Sequence, residues 1–507
     1  MALSSSWRRL ALCLGSLLAF GCARPIAMRG DGWWSIRTAH VHLETDAGRD
    51  RGIREAARLE DMHRALSSTF YHCTEHDQDV AEVVILGNED EFLDLAGQVS
   101  GTSLSGSDGM LAQPRRIVTL AAELDAPGGR QVATHELTHG MVAACFPNAP
   151  TWLNEGLAGV FETILLPEPE VAVIGYPSRR TTEMPLFLTR VEHQQFDVRY
   201  TPRAALPSVY DVIHGPSSTF YHAPTGGMIT SSAAGVAANY TAATLVVYML
   251  AIGPSPALRA RFVSYLESLR RGVDPGFAFA MAFEDVDLQR ELDGFLDGHP
   301  FDVHERILPR ADVSPPAVHA IGPAEAHLRL AELEVQSRAR AGTPNARTHL
   351  ALVDRDPSWR PQSALLRADL DPIGADRQVA IATTLAPNDL DVMRARAILA
   401  LRDGDHALVA TLARRLEGRV DLRPSDLVVL ADLERDAGDL AGAEARAHAL
   451  LRTDRSRWGA WAVLARVALE RGDTTRAREL VGVLRVMTAR SAEARATVRD
   501  LDARLAP

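Results

Sequence analysis

The spacing of apolar positions divides the chain into a part of mixed strands and helices and a part of helices alone. Short apolar runs predict strands at 36–43, 80–86 and 117–120. Apolar residues at helical spacing predict helices at 48–70, 89–96, 130–146, 240–250 and 256–270. Strands followed by helices are typical of an α+β domain. Residues 167–235 are rich in Pro, Gly and Ser, and we expect long loops there.

The C-terminal part repeats itself every 34 residues. The period is carried by three sets of residues: Gly404, Gly438 and Gly472; Ala397, Ala431 and Ala465; Leu416, Leu450 and Leu484. This period resembles the tetratricopeptide repeat, which implies a solenoid of helical pairs with a concave binding face. We expect a Pro-rich linker at 309–323 and a repeat domain at 324–507, whose first part, 324–387, holds degenerate repeats. An unrelated helical bundle with glycine turns is the alternative.

The first residues have the pattern of a bacterial export signal. Trp7-Arg8-Arg9 precedes an apolar stretch at 10–20, and Gly21-Cys22 follows at once. The ending resembles a lipobox, which implies a signal peptide at 1–21, lipidation of Cys22, a tether at 22–32 and contact with a membrane through the anchor. Ordinary cleavage after Gly21 or Ala23 is the alternative. We therefore expect the protein in the bacterial cell envelope, lipid-anchored in the periplasm or at the outer membrane, or otherwise secreted.

Composition changes this picture in two respects. All 54 basic residues are Arg, against 65 Asp and Glu, and the net charge of -11 without a basic block argues against nucleic-acid binding. Of four cysteines, only Cys73 and Cys145 lie outside the export signal and the lipidation site. In an oxidising compartment they would form a disulfide, although two buried free thiols are the alternative.

The candidate chemistry begins at His135-Glu136-Leu137-Thr138-His139, an H-E-x-x-H on a predicted helix. Four residues are slightly more than one helical turn, so both imidazoles leave the same face and can bind one Zn²⁺. Glu136 is the next residue along the helix after His135, where its carboxylate can take a proton from a water on the metal. The alternative is an ordinary helix that carries two histidines.

A second short helix supplies the third ligand. Pro147 and Pro150 end the first helix, and Thr151 is expected to cap the next one, which carries Glu155. A short connection makes the two helices antiparallel neighbours, so Glu155 can reach the same metal. Two imidazoles and one carboxylate leave a fourth position open, as catalytic zinc sites do.

The segment 152–158, Trp-Leu-Asn-Glu-Gly-Leu-Ala, resembles the W-L-N-E-G-x-A segment of aminopeptidase N-type gluzincin metallopeptidases. The chain is also similar to uncharacterised bacterial exported domains that join such a peptidase motif to tetratricopeptide repeats. These resemblances imply a gluzincin-like peptidase domain at 33–308. They also imply that the strand at 117–120 is the sheet edge along which a peptide lies. The G-x-M-E-N segment that recognises a free amino terminus is missing, which argues against aminopeptidase activity.

Four further residues are weighed as parts of a site. Tyr240 begins a segment similar in register to the aminopeptidase stretch whose tyrosine stabilises the oxyanion, and a Tyr that opens a buried helix is the alternative. Glu162 lies seven residues after Glu155 on the same helix face and could orient a ligand, or be a solvated charge at the helix end. His40 and His42 share one face of a strand, but no third ligand type lies nearby, so we expect no second metal there.

These observations together predict an exported zinc metallopeptidase of peptide or protein substrates, with a repeat domain that binds a protein partner or substrate. His135, His139 and Glu155 would hold zinc, Glu136 would be the general base and acid, and Tyr240 a weaker candidate for the oxyanion. The leading alternative is a catalytically silent envelope scaffold whose repeats bind partners. A second alternative is hydrolysis of a non-peptide amide.

Overall fold

The computed structural model describes most of the chain beyond residue 31. The described residues are 32–69, 80–100, 109–112, 117–121, 127–146, 148–168, 170–175, 187–192, 195–200, 206–216, 219–220, 233–271, 273–297, 303–310, 314–336, 343–417, 419, 422, 424–453, 457–487 and 492–505. The predicted signal peptide, the predicted lipidation site Cys22 and the candidate disulfide partner Cys73 lie outside these residues.

A six-stranded mixed sheet forms the N-terminal part. Its strand order is β11-β1-β2-β3-β5-β4. The strands are β1 Trp33–Arg37, β2 Val41–Thr45, β3 Ala81–Leu86, β4 Gly109–Ala112, β5 Ile117–Ala121 and β11 Ala317–Ile321. β2, β3 and β5 run parallel, while β4 and the β1–β11 side are antiparallel to their neighbours. The central strand β3 has four consecutive buried apolar residues, 83–86, because both sheet faces are covered by helices.

Two predictions about this sheet were wrong. The single strand expected at 36–43 is a hairpin of β1 and β2, because the chain turns at Thr38, whose amide donates to Val41 O at 2.9 Å. The strand at 117–120 is not the sheet edge, because β4 pairs with its outer side. β4 has only four residues, and its Gly-Met-Leu-Ala sequence carries little strand signal beside a Gly- and Ser-rich stretch.

The segment expected to be a linker contributes to this sheet. Residues 317–321 of the Pro-rich stretch form β11, which pairs with β1 in the register Trp33↔Ile321 to Arg37↔Ala317. Pro315 and Pro316 stand immediately before the strand, where no ladder hydrogen bond is lost. The prolines therefore lead into an edge strand, and the simple connector expected at 309–323 was wrong in this respect.

Helices cover both faces of the sheet. In chain order they are α1 Arg49–Thr69, α2 Glu89–Ser100, α3 Pro127–Cys145, α4 Thr151–Phe161, α5 Val209–His214, α6 Ala233–Ala251, α7 Pro256–Arg270, α8 Pro275–Phe283 and α9 Leu288–Leu296. Helices α1, α3, α4 and α6 share the main core with one sheet face. Within the described ranges, no single helix is apolar and long enough to cross a membrane, although Ala238–Ala251 and Pro256–Arg270 meet that criterion as a pair bent by 107°.

The region predicted as long loops contains regular structure. It includes β7 Val171–Ile174, the hairpin of β8 Phe187–Glu192 and β9 Gln195–Tyr200, and α5. β7 pairs with β6 Leu165–Glu168 and with β10 His304–Ile307 in a small antiparallel sheet. The loop prediction for 167–235 was therefore wrong for these segments, because composition averaged over a long window hides strands of four to six residues.

The C-terminal part is helical throughout its described residues. Its helices are α10 Pro323–Gln336, α11 Thr343–Val353, α12 Arg360–Leu370, α13 Ala375–Leu385, α14 Leu390–Asp403, α15 His406–Glu417, α16 Pro424–Asp436, α17 Leu440–Thr453, α18 Trp458–Glu470, α19 Thr474–Met487 and α20 Ala492–Leu505, with a 3₁₀ turn Pro357–Trp359. Consecutive helices pack as hairpins from α10 to α19.

The 34-residue period corresponds to one helical hairpin. Gly404, Gly438 and Gly472 follow the first helix of three successive hairpins, with φ of 67°, 89° and 79°. This left-handed conformation closes the helix end and favours glycine. The repeated alanines and leucines of the period are buried where the helices meet. Each 34-residue unit thus repeats both the glycine turn and the packing of the alanine and leucine between its helices.

Helix α10 joins the two parts. Its apolar face lies in one core with Trp33, Val84 and Leu86 of the sheet. Arg329 of α10 donates to Glu44 of β2 from Nη2 at 3.0 Å and lies 3.6 Å from Glu82 of β3. The first helix of the helical part is therefore built into the sheet domain.

Candidate metal centre

Helix α3 presents the two histidines of the motif on one face. The rings of His135 and His139 meet edge to face, with centroids 4.7 Å apart and planes at 87°. Ligand atoms of His135, Glu136 and His139 all lie within 4.8 Å of one another. The helix that holds them packs against β4 and β5 through its apolar residues, which include Val132, Leu137 and Val142. The motif therefore lies at the boundary between the core and a polar site.

Helix α4 brings Glu155 to the same place. One oxygen, Oε2, lies 3.5 Å from His135 Nε2 and 3.4 Å from His139 Nε2. The connection between the two helices is anchored by Asn148, whose Nδ2 donates to Val273 O at 2.6 Å. The predicted cap was wrong: Pro150 is the N-cap residue of α4, without a side-chain capping bond, and Thr151 is already in the helix. A proline at that position sets the helix start through its fixed backbone.

The two distances from Glu155 Oε2 to the imidazole nitrogens fit a tetrahedral metal site. Zinc bonds of about 2.0–2.2 Å to nitrogen and oxygen at tetrahedral angles place neighbouring ligand atoms about 3.4 Å apart. The two distances from Glu155 Oε2 to the imidazole nitrogens, 3.5 and 3.4 Å, have this value. His135 and Glu155 are 4% and 2% exposed, so the charged carboxylate needs a cationic partner. The donor set of two imidazoles and one carboxylate is one that zinc accepts.

Buried charge defines the electrostatics of the centre. Burial alone would lower the pKa of His135, but the hydrogen bonds that its ring donates to Glu155 and Glu162 outweigh burial and raise the pKa to about 10. Burial alone would raise the pKa of Glu155, but His139 and His135 hold it well below its usual value. Two buried carboxylates thus face the imidazoles, a charge arrangement that a divalent cation would neutralise.

Glu162 contacts His135 on the side of the ring that faces away from Glu155. Its Oε2 lies 2.8 Å from His135 Nδ1, the ring nitrogen that faces away from Glu155. Glu162 is 3% exposed, at the C-cap of α4, so the structure places it in the core rather than in solvent. A carboxylate there keeps a proton on Nδ1, so that a metal would bind at Nε2 in place of the second ring proton.

Close packing fixes α4 against α6. A Cβ at Gly156 would lie 2.6 Å from Ala243 O and would overlap Val247, and one at Gly159 would overlap Thr244. Gly156 therefore lets the helices approach to backbone contact one residue after Glu155, and Gly159 leaves room for the side chain of Thr244. The sequence analysis missed this role, although glycines three residues apart on one helix were the signal for it.

Tyr240 lies on α6, the helix that packs against α4. Its half-buried ring meets Phe220 edge to face at 5.8 Å. The structure thus brings together five of the predicted site residues, namely His135, Glu136, His139, Glu155 and Glu162, while Tyr240 is on the neighbouring helix against an aromatic side chain. Its action on an oxyanion stays a prediction.

The remaining candidates lie elsewhere. His40 Nδ1 pairs with Glu60 Oε1 at 2.5 Å, and His42 Nδ1 pairs with Glu82 Oε2 at 2.9 Å. The other nitrogen of His42 lies 3.0 Å from Ser35 Oγ. His40 and His42 thus use separate carboxylates and form no shared ligand cluster among the described residues.

The last residue of α3 forms a disulfide. Cys145 is buried and disulfide-bonded, six residues after His139. Its pairing with Cys73 stays a prediction, because Cys73 is outside the described residues. The disulfide anchors the C-terminal end of the helix that carries both histidines.

Comparison with known proteins identifies no relative of this chain. The chain matches no protein-family model, no curated protein and no solved structure. The interpretation of the centre therefore depends on its own residues and geometry.

Proposed function

We propose that the protein is an exported zinc metallopeptidase with a gluzincin-like domain and a tetratricopeptide array. The observation that carries this proposal is the position of Glu155 Oε2, 3.5 and 3.4 Å from the Nε2 atoms of His135 and His139. Glu136 belongs to the same cluster, and a purely structural site has no use for an acid there. These residues support a catalytic metal centre.

Each protein group has a distinct task in peptide hydrolysis. When bound by His135, His139 and Glu155, zinc supplies Lewis acidity that polarises a carbonyl and makes a water molecule more acidic. Glu136 accepts the proton of the attacking water and then donates it to the leaving amine. Glu162 keeps His135 in the required tautomer. Tyr240 is the candidate donor to the oxyanion.

The sheet edge beside α3 supports a peptide as substrate. β4 is the terminal strand of the sheet, with a strand partner on one side only among the described residues. It packs against α3, the helix of the two histidines. An edge strand offers free backbone donors and acceptors to an extended peptide.

The helical hairpins support the proposed binding role of the C-terminal part. Their 34-residue period, left-handed glycines and buried alanines match what the tetratricopeptide resemblance implies. We propose that this array binds a protein partner or delivers substrate, and that the lipid anchor at Cys22 holds the protein in the bacterial envelope.

One experiment tests the activity. The chain from residue 23 to 507 is assayed for bound zinc and incubated with an unbiased peptide mixture and a set of non-peptide amides, beside Glu136→Gln and the exposed control Glu305→Gln. We expect one zinc per chain in all three proteins and peptide cleavage that is lost only in Glu136→Gln. Zinc bound by all three with no cleavage by any would support the silent scaffold instead, and cleavage restricted to the amides would support the other alternative.

A further inference from the structure

Three ionisable side chains form a line between α10 and α11, outside the candidate metal centre. His327 and Glu334 lie seven residues apart on α10, so two helical turns place them on one face. His349 of α11 contacts both: its Nδ1 lies 2.9 Å from His327 Nδ1, and its Nε2 lies 3.8 Å from Glu334 Oε1. We call these three residues the hairpin cluster. Both ring nitrogens of His349 therefore face another ionisable group.

The inner end of the hairpin cluster is enclosed. Glu334 and His349 are buried and His327 is half-buried, so the cluster leads from the core toward the solvent. Both carboxyl oxygens of Glu334 and the Nε2 of His349 are enclosed and have no hydrogen-bond partner among the described residues. Enclosed polar atoms without partners are costly, and a shift of about 1 Å would bring these two groups to hydrogen-bond distance. A proton between Glu334 and His349 would then satisfy both.

The contact between the two imidazoles fixes how protons are arranged. Of the two Nδ1 atoms at 2.9 Å, one must donate and the other accept, and a neutral imidazole carries one proton only. When Glu334 is protonated, it donates to His349 Nε2, and His349 donates from Nδ1 to His327. When Glu334 is ionised, both bonds reverse: His327 donates from Nδ1 to His349, and His349 donates from Nε2 to Glu334. The two arrangements differ by one proton, which the first carries on His327 Nε2.

The surroundings of the hairpin cluster keep both imidazoles neutral. Burial and the nearby Arg355, which follows α11, lower the pKa of His327. Burial and His327 lower the pKa of His349 to about 4, while burial raises the pKa of Glu334 to about 8. No charged group among the described residues shifts the pKa of Glu334. The cluster therefore holds one exchangeable proton near neutral pH, on a carboxyl group that is buried.

Charged groups of the elements packed on this hairpin are paired away from the cluster. Arg329 of α10 pairs with Glu44 of β2 and with Glu332. Asp354, which follows α11, pairs with Arg367 of α12. Within the described ranges, the one charge that acts on the cluster is therefore the guanidinium beside His327, at its solvent end.

We propose that His327 and His349 are a proton relay that connects the buried carboxyl group of Glu334 with the solvent. As pH rises, His327 releases the proton of Nε2 to water. The Nδ1 proton of His349 moves to His327 Nδ1, and the carboxyl proton of Glu334 moves to His349 Nε2. Glu334 becomes a carboxylate that accepts a hydrogen bond from His349, and the same steps run in reverse as pH falls. This inference is independent of the metal centre and of peptidase activity.

The relay places a pH-dependent charge where the helical part meets the sheet. α10 carries Glu334, and its apolar face shares a core with Trp33, Val84 and Leu86 of the sheet. A buried charge is costly, so ionisation of Glu334 weakens the hairpin at this junction. The relay lets the junction respond to the pH of its surroundings without prior opening of the helices.

The two proton arrangements are tested by nitrogen-15 NMR of the chain from residue 23 to 507, labelled at histidine. Resonances are assigned with His327→Gln and His349→Gln. We expect His349 to carry its proton on Nδ1 at pH 6.5 and on Nε2 at pH 9, with a midpoint at about 8. In Glu334→Gln the amide donates to Nε2 at every pH, so His349 should keep the Nδ1 proton, whereas the exposed control Glu305→Gln should match the native chain. One unchanged tautomer of His349 in the native chain, or a doubly protonated ring at pH 6.5, would overturn the proposal.

The route is tested by the rate at which Glu334 ionises after a jump from pH 6.5 to 9. The infrared band of the protonated carboxyl group, identified by its absence in Glu334→Gln, reports this step. His327→Gln keeps a hydrogen-bond partner for His349 but cannot pass a proton on, so the carboxyl proton can leave only when the helices open locally. We expect ionisation to be at least tenfold slower in this variant and unchanged in the exposed control His319→Gln. Equal rates in His327→Gln and the native chain would overturn the relay. The tautomer reversal of His349 needs no variant and decides the proposal if His327→Gln does not fold.

Discussion

The two imidazoles of the proposed metal centre differ at the nitrogen that faces away from the ligand cluster. His135 Nδ1 is held by Glu162 at 2.8 Å. His139 Nδ1 is buried, and within the described ranges it has no hydrogen-bond partner. A carboxylate behind a ligating histidine fixes the ring and raises its basicity. His135 is therefore the ligand whose orientation depends most on one other side chain.

Replacement of Glu162 by Gln tests this dependence. The variant keeps the size of the side chain but loses the charge that faces His135. We expect zinc affinity to fall about 10- to 100-fold, measured by competition with a chromogenic chelator. Glu168→Gln, on the exposed strand β6, is the matched control and should keep native affinity. Native affinity in Glu162→Gln would show that His135 is oriented by its packing alone.

A second pair of buried ionisable residues lies between α10 and α11. Glu334 Oε1 and His349 Nε2 are 3.8 Å apart, and both side chains are fully buried. His349 Nδ1 lies 2.9 Å from His327 Nδ1. Burial raises the pKa of Glu334 to about 8, while burial and His327 lower the pKa of His349 to about 4. Both groups are therefore neutral at neutral pH.

The raised pKa of Glu334 predicts a pH dependence of stability. Above the unfolded-state pKa of 4.5, the folded protein keeps a proton that the unfolded chain releases, so stability falls as pH rises toward 8. Between pH 6.5 and 8 we expect the free energy of unfolding to fall by up to about 1.4 kcal/mol per pH unit relative to Glu334→Gln. Urea unfolding of both proteins at these two pH values measures the difference. The exposed variant Glu305→Gln should follow the native protein, and identical pH profiles for all three would contradict the prediction.

At the scale of elements, the centre depends on how α4 meets α6. Glu155 is positioned by α4, and Gly156 allows α6 to approach it to backbone contact. The ligand geometry is thus a consequence of helix packing as well as of sequence spacing. A change in the contact between α4 and α6 should therefore weaken metal binding even when every proposed ligand is intact.

Gly156→Ala tests the role of this contact. The new Cβ would lie 2.6 Å from Ala243 O, so the helices must separate. We expect a loss of about 1–3 kcal/mol in the free energy of unfolding, because overpacking of a core costs this much, together with weaker zinc binding. Gly140→Ala is the control: its Cβ has open space, and we expect a gain of about 0.5–1 kcal/mol from helix propensity. Equal stability of the two variants in thermal unfolding would refute the close contact.

The extent to which sequence predicted these elements follows from the strength of each local signal. The ligand helices were predictable because H-E-x-x-H and W-L-N-E-G-x-A fix both spacing and type of residue. The helical hairpins were predictable because one turn geometry recurs every 34 residues. β4 and β7 were not, since four-residue strands have too few positions for a period, and the burial of Glu162 depends on tertiary packing that no local pattern reports.

At the scale of the whole molecule, Arg329 forms a polar link between the helical part and the sheet. It lies on α10, is 18% exposed, and pairs with Glu44, Glu82 and Glu332. Glu44 is itself buried on β2. Loss of the guanidinium would leave that carboxylate without its closest cation.

Arg329→Ala should therefore weaken the contact between the helical part and the sheet. Removal of one partner of a buried pair costs about 3–5 kcal/mol, so we expect faster limited proteolysis between β10 and α10 and a lower unfolding temperature. Arg310→Ala is the matched control, because Arg310 pairs with Glu170 on the surface and is 90% exposed. Equal proteolysis of both variants would show that the apolar core of α10 alone holds the parts together.

The pairing of β1 with β11 has a consequence for the order of folding. β1 is the first described strand, and its outer partner β11 follows only after the segment with the proposed metal ligands has been synthesised. During translation the outer edge of β1 therefore stays unpaired until β11 has been synthesised. Contacts between residues so distant in sequence form slowly. A chain that ends at Leu308 contains every proposed metal ligand but lacks the strand that pairs with the outer side of β1. The natural unit for expression of the proposed metal centre thus ends beyond α10, because β11 completes the sheet and α10 packs against it.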